Sequence, residues 1–366
     1  MPYDRVARLF DSGQYETVFA KIRERIADAD YSIVNLECPI CKGVEKAIDK
    51  LGPSHKCADS VIGAIQYAGF TGVTLANNHF RDFGDEGCLN TMRELENNGI
   101  DHVGGGKNVE DAANILYREI EGSLIAIISC CEHEFSIAEE NHAGSNPLNP
   151  IKQYYAIKEA REKADFVVVI AHGGHEHYQL PSPRMVETYR FFVDAGADAV
   201  VNHHQHCFSG YEIYKGKPIF YGLGNFCFDK PVKRADKWNE GYVVELTLTE
   251  GASGFELIPY SQCDSEPVVA PLSGEKKRQF FLRINALNEI ISNSRELEGE
   301  FEKWCQSKHA QKESLFSPYT GTFLQVLYSK GLLRNPISDK RKLSLTDHII
   351  CESHRDVTLY FLHTKS

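Results

Sequence analysis

The feature that most constrains this fold is a series of short runs rich in Val and Ile, almost every one followed at once by Asn, His or Glu. Runs at 31–36, 73–76, 124–129, 166–171, 199–201 and 218–221 have the length and composition of buried strands. Amphipathic stretches around 58–68, 84–98, 153–163 and 183–195 fill the gaps, and Gly99 and Gly196 stand where helices should stop. Strands alternating with helices predict a layered α/β domain. Residues 242–248 and 255–260 read instead as a late antiparallel pair around a turn at Gly251–Gly254, so mixed sheets are expected. At the start, Val6 to Ala29 shows helical spacing, with Leu9, Phe10, Val18, Phe19, Ile22 and Ile26 as its buried stripe.

With 42% hydrophobic and 25% charged residues, a chain of 366 residues can bury a substantial core without staples. Its net charge of −11 argues against broad attraction to nucleic acid or to an anionic membrane, while a bound cation could still attract an anionic substrate. Eleven irregularly spaced cysteines do not make a disulfide framework and fit a reducing compartment. Cys38 and Cys41 form a CxxC with no second pair and read as part of a turn. No run of ~18 apolar residues suggests a membrane span, and MPYDRVARLFDSG lacks the apolar segment of a signal peptide. A cytoplasmic protein is the expectation. Beyond about residue 262 the composition shifts: Phe280, Ile284, Leu287, Ile291, Phe301 and Trp304 mark one long helix. Phe323, Leu324 and Leu327 mark another, ending near Gly331. The expected division is an α/β domain over 1–262 and a helical appendage over 263–366.

The polar residues fall at strand ends. Run 31–36 leads to Asn35 and Glu37; run 73–76 leads to Asn77, Asn78 and His79, with Asp82 beyond. Run 166–171 ends at His172, followed by His175, Glu176 and His177; run 199–201 ends in Asn202, His203, His204, Gln205 and His206; run 218–221 leads to Gly224 and Asn225. Ligands of α/β sheets bind at the carboxyl ends of strands, so five such clusters should converge. Imidazole nitrogens with carboxylate and amide oxygens suit Zn, Mn or Fe better than Ca²⁺ or Mg²⁺, and two such ions can activate water against a phosphoryl group. Taken singly, each element has a plainer reading. His172 alone is a hydrogen-bonded strand end, Asn77-Asn78 and Asn225 are turn residues, His175 and His177 are solvated, and Glu176 is an ion-pair partner. The three glycines at 104–106 lack the spacing of a phosphate loop and read as a turn.

The segments YSIVNLECPI (31–40), GFTGVTLANNHFRDFG (69–84), IDHVGGGKN (100–108), ADFVVVIAHGGHEHYQLP (164–181), GADAVVNHHQH (196–206) and KPIFYGLGNFCFD (217–229) resemble, in order, the motifs of CapA-like poly-γ-glutamate capsule-biosynthesis proteins. That family lies in the calcineurin-like metallophosphatase superfamily. The resemblance implies a four-layer αββα sandwich of mixed sheets with two metal ions. It implies Glu37, Asn78, His172, His204 and His206 as metal ligands and His79 as the general acid, positioned by Asp82. Asn35, Asn77, Glu176 and Asn225 would then face an anionic small-molecule or polymer substrate. Family members begin with a strand ending in Gly-Asp, and they commonly carry a membrane anchor; the residues here start after that strand, so either the start is internal to a longer reading frame or one ligand and one strand are lacking. Gly173 stands where Trp is common, and His203 where the Gly of Gly-His-x-His is usual. The expected function is metal-dependent phosphoester hydrolysis in capsule or cell-surface polymer biosynthesis, beside partners in polymer synthesis. A non-catalytic accessory subunit with an incomplete metal site is the alternative, and hydrolysis of a polyglutamate amide is a third reading.

Overall fold

The structure, a computed structural model, describes residues 1–366 except 42, 44, 45, 51, 231–235, 250, 251, 309–320, 334–337, 351–353 and 355–366. Its strands, in chain order, begin with β1 (Ile33–Asn35), β2 (Gly72–Thr74), β3 (Asp101–Val103), β4 (Gly105–Gly106), β5 (Leu116–Ile120), β6 (Ser123–Cys131) and β7 (Gly144–Ser145). They continue with β8 (Phe166–His172), β9 (Ala199–His203), β10 (Tyr211–Tyr214), β11 (Lys217–Phe220), β12 (Glu240–Thr249), β13 (Ala252–Gln262) and β14 (Val269–Pro271).

The largest sheet runs β10-β11-β9-β8-β6-β5, with β11, β9, β8 and β6 mutually parallel and an antiparallel strand at each edge. All seven residues of β8 are buried, as expected of a Val-rich strand covered on both faces. Alternate residues sort to the two faces. Ile128, Cys130, Val167, Val169 and Val200 meet Ile157 and Ala160 of the helix Pro150–Lys163 and Met185, Tyr189 and Phe192 of the helix Pro183–Ala195. Ile127, Val168, Ile170 and Ala199 face Val103, Ile33, Leu246 and Leu248 from the other sheets. The second layer holds the parallel sheet β1-β2-β3 and the antiparallel sheet β12-β13-β14. Val73 and Leu75 pack outward against Val61, Ile62 and Ile65 of the helix Ser60–Ala68 and Met92 and Leu95 of the helix Gly84–Asn97. The order is thus helices, sheet, sheets, helices: the expected αββα sandwich. β1 and β12 are edge strands of their sheets, and both line one mostly apolar cavity of about 150 Å³.

Several expectations are corrected. The single helix over Val6–Ala29 is three: Asp4–Asp11, Tyr15–Phe19 and Arg23–Ala27. Gly13, at φ +71°, donates to the Phe10 carbonyl while Gln14 donates to that of Leu9, the paired bonds that close a helix behind a left-handed glycine. The predicted stripe is nonetheless buried at Phe10, Val18, Phe19, Ile22 and Ile26, with Leu9 partly so. β12 and β13 pair antiparallel as expected, and Gly254 sits within β13; the turn residues 250 and 251 lie outside the described residues. The chain divides at Glu298, not at residue 262: one unit is Met1–Glu298 and the other Gly299–Ser366. The helix Gly274–Ser292 belongs to the first unit because Phe280 and Ile284 pack with Phe208, Phe220 and Tyr242. Extended backbone at Asn293 separates it from the helix Ser294–Ser307, where one long helix is expected from the sequence. The second unit contains the helices Thr322–Ser329 and Asp339–Ile350. Among the described residues, no helix is long and apolar enough to cross a membrane.

Candidate metal centre

Parallel pairing places the carboxyl ends of β6, β8, β9 and β11 along one edge of the large sheet, and those of β1 and β2 open onto the same place. His172 is the last residue of β8, while Glu37 and Asn78 lie just past β1 and β2. His204 and His206 follow β9 with φ of +105° and +57°. Left-handed backbone at non-glycine residues costs on the order of 1–3 kcal/mol and is found where a site over-determines the chain. Of this i,i+2 pair, His204 joins the compact group with Glu37 and His172, while His206 reaches it through Glu37.

These side chains converge. Glu37, His172 and His204 each offer a donor atom, and the three atoms lie within 4.8 Å of one another. The Glu37 Oε1 atom stands 3.7 Å from His172 Nε2 and 3.8 Å from His206 Nε2. The His172 Nε2 atom is 3.0 Å from Asn78 Oδ1 and 3.1 Å from His204 Nδ1. Two imidazole nitrogens at that separation need a proton or a cation between them. Glu37 Oε1 and His172 Nδ1 are buried without a hydrogen-bond partner. A buried carboxylate oxygen left unpaired is costly unless something else binds it.

Burial sets the protonation of the group. It raises the Glu37 carboxyl against the pull of His79 and His204. It lowers His172 well below the usual histidine range, reinforced by His204, and takes His206 down to about 4 despite its bond to Asn225. Near neutral pH these imidazoles therefore carry free lone pairs. Neutral imidazoles, one carboxylate and an amide oxygen suit a divalent transition metal. By these tests the residues fit such an ion.

His79 and Asp82 form a second, adjoining group. Asp82 is fully buried; its Oδ2 accepts from the His55 amide at 2.7 Å and lies 2.7 Å from His79 Nδ1, and its Oδ1 pairs with Lys50. Lys50 Nζ is also 3.2 Å from His79 Nδ1, and the His55 and His79 rings lie 4.4 Å apart. Burial takes His55 down to about 3.

The residues expected to face substrate divide. Glu176 is exposed at the rim, where its charge is felt by Glu37 and His206. Asn77 is corrected: it is wholly buried, donating to the Leu36 carbonyl at 2.9 Å and accepting the His79 amide at 3.1 Å, so it shapes the loop. Asn35 donates to Glu37 Oε2 at 3.4 Å and accepts from Asn77. Asn225 holds His206, with Oδ1 2.9 Å from its Nδ1 and Nδ2 donating to its carbonyl at 2.9 Å. Sequence reasoning missed Lys50, His55 and Glu134. Glu134 follows β6 and accepts from Asn78 Nδ2 at 3.3 Å. The signal was present, since β6, like its neighbours, runs into a polar triplet, Glu132-His133-Glu134.

Comparison with known proteins identifies the family. Residues 1–230 match the family model of the bacterial capsule synthesis protein PGA_cap. The chain is 32% identical over 274 residues to the capsule biosynthesis protein CapA of Bacillus anthracis, covering 72% of this chain and 66% of that protein. It is 32% identical over 270 residues to the PGA biosynthesis protein CapA of Bacillus subtilis strain 168, covering 72% and 69%. The chain thus spans about two thirds of the length of these curated relatives. A solved hypothetical protein from Thermus thermophilus aligns at a TM-score of 0.42 and 15% identity, over 70% of this chain and 95% of that one. With the family model matched over well more than half of its length, this chain belongs to the bacterial capsule synthesis protein family PGA_cap.

Proposed function

We infer that the chain is a metal-dependent hydrolase of phosphoesters, acting in the biosynthesis of capsule, poly-γ-glutamate or another cell-surface polymer. The observation that carries this reading is the buried convergence of Glu37, His172 and His204, with Glu37 Oε1 left without a hydrogen bond. Glu37, Asn78, His172, His204 and His206 would hold the metal, Mn, Zn or Fe, with two ions expected from the resemblance. A bound divalent ion supplies an activated water and neutralises charge on an anionic substrate. The chain's own residues do the rest. As an imidazolium, with Nδ1–H held by Asp82, His79 would carry a second proton on Nε2 to give to the leaving oxygen. Asp82 fixes that ring, and Lys50 balances the Asp82 charge so that the pair stays buried. Glu176, exposed at the rim, meets substrate outside the buried cluster.

The test is turnover of p-nitrophenyl phosphate and bis(p-nitrophenyl) phosphate with Mn²⁺ or Zn²⁺, read beside bound metal. Turnover that disappears in His79→Ala while metal is retained supports the reading. A folded protein that takes up no metal would overturn it and leave the accessory-subunit alternative.

A further inference from the structure

The segment after β6 is pinned at both ends. At its start, Glu132 accepts from the Gly174 amide at 3.1 Å and pairs with Arg184, tying it to the loop beyond β8. At its end, Ser136 Oγ donates to the Asn78 carbonyl at 2.7 Å and accepts from the Arg81 amide at 3.1 Å, tying it to the loop beyond β2. Glu132 and Ser136 are thus committed to structure. Glu134, midway between them, turns its carboxylate toward the cluster. Its Oε2 accepts from Asn78 Nδ2 at 3.3 Å, and its Oε1 lies 3.7 Å from His204 Nε2.

We propose that Glu134 is the outer carboxylate of the metal site, selecting a divalent cation by fixing the Asn78 amide and supplying a second negative charge. Two independent geometric facts carry it. Asn78 Nδ2 is spent on Glu134, which leaves Asn78 Oδ1, the atom that binds hard and borderline cations, facing His172 Nε2 at 3.0 Å. The compact trio of Glu37, His172 and His204 holds only one carboxylate, so it cannot neutralise a divalent ion; Glu37 and Glu134 together do. Groups that orient a ligand in this way typically change metal affinity by about 10–100-fold when removed. With its side chain 42% exposed, Glu134 is the solvent-facing carboxylate beside the buried cluster.

The inference rests on the metal-dependent reading above, and calorimetric titration of the full chain with Mn²⁺ and with Zn²⁺ separates the two. Glu134→Gln keeps shape and acceptor but removes charge, and it should weaken Mn²⁺ binding by at least about tenfold. Glu134→Asp should recover part of that loss. The metal-free melting temperature of both variants should match the parent, because the side chain is half exposed. If the parent binds no metal, the metal-dependent reading fails and this inference falls with it. If the parent binds metal and Glu134→Gln stays within about twofold of it, only the role of Glu134 is overturned.

Discussion

Two adjoining groups of polar side chains occupy the cleft, and they satisfy their hydrogen bonds in opposite ways. Around Asp82 every carboxylate oxygen has a counterpart: Oδ2 takes the His55 amide and the His79 ring, and Oδ1, though it has no directed hydrogen bond, is ion-paired with Lys50. Around Glu37, the carboxylate oxygen Oε1 is buried without a hydrogen bond, with the nearest imidazole nitrogens 3.7 and 3.8 Å away. A saturated network holds one geometry and resists loss of any member. An under-satisfied cluster carries a standing cost that a ligand would relieve. In the proposed function the first would orient His79 and the second would bind metal, and each can be broken separately.

The largest effect should come from the saturated side. Replacing Asp82 by Ala leaves the Lys50 ammonium, only 4% exposed, without its counter-charge. Breaking a buried pair in this way costs about 3–5 kcal/mol, measured as the shift in urea unfolding of the metal-free protein. A loss below about 1 kcal/mol would show that water replaces the carboxylate and that the network is not closed.

Glu37→Gln should do the reverse. It removes the carboxylate at the centre of the cluster, and metal affinity should fall by about 100-fold, equivalent to about 2.7 kcal/mol. Metal-free stability should hold or rise, since the lost group is a carboxyl raised by burial with one unpartnered oxygen. If metal-free stability dropped as far as in Asp82→Ala, the two regions would not differ in kind.

The under-satisfied half was the more legible in sequence. Strand ends announce themselves as a Val- or Ile-rich run meeting Asn, His or Glu, and Glu37, Asn78, His172, His204 and His206 all stand at such junctions. The saturated half was legible only at His79 and Asp82, three residues apart in one loop. Lys50 and His55 reach them from a segment with no periodicity, through a long-range fold-back in which the Ile48 amide bonds the Asp82 carbonyl. Glu134 was hidden because Cys130 and Cys131 follow the apolar run 124–129 and set its polar triplet beyond the junction where the other strands meet Asn, His or Glu. Helix periodicity found the buried stripe of the first 29 residues but not its two breaks. Burial repeats every three or four residues whether or not the backbone is continuous, and only the left-handed Gly13 records the first interruption. The boundary near residue 262 failed for a related reason: composition turned helical there, but Phe280 and Ile284 still pack with the first unit.

Acid separates the groups again. In the folded protein His206 is lowered to about 4, whereas in the unfolded chain it takes a proton near the ordinary value of ~6.5. Its contribution is therefore complete above pH ~6.5 and fades as pH falls toward 4, reaching a loss on the order of 2 kcal/mol by pH 5. Glu37, raised in the folded state, acts in the opposite sense: it stabilises at low pH and withdraws that stability as pH rises past its unfolded value. His206→Asn should accordingly flatten the fall in urea midpoint between pH 6.5 and pH 5, and Glu37→Gln should steepen it. Metal binding needs Glu37 ionised, so affinity in the parent should increase with pH, and that slope should flatten in Glu37→Gln. An unchanged slope would mean that another group releases the proton.

The smallest effect sharpens the comparison most, because it concerns a residue that belongs to neither extreme. Asn225 is paired, as the residues around Asp82 are, yet what it holds is His206, a member of the under-satisfied cluster. Its Nδ2 donates to the His206 carbonyl at 2.9 Å and to the Trp238 carbonyl at 3.3 Å, and its Oδ1 faces the His206 ring. Asn225→Ala frees the left-handed His206 backbone and should cost about 1 kcal/mol of metal-free stability, the worth of an ordinary buried hydrogen bond. The accompanying loss of metal affinity should be about tenfold, in the range for a partner that orients a ligand. A stability loss with affinity intact would make Asn225 a loop anchor and remove His206 from the metal site. An affinity loss with stability intact would show that the strained φ at His206 persists without its partner and that Asn225 acts on the ring alone.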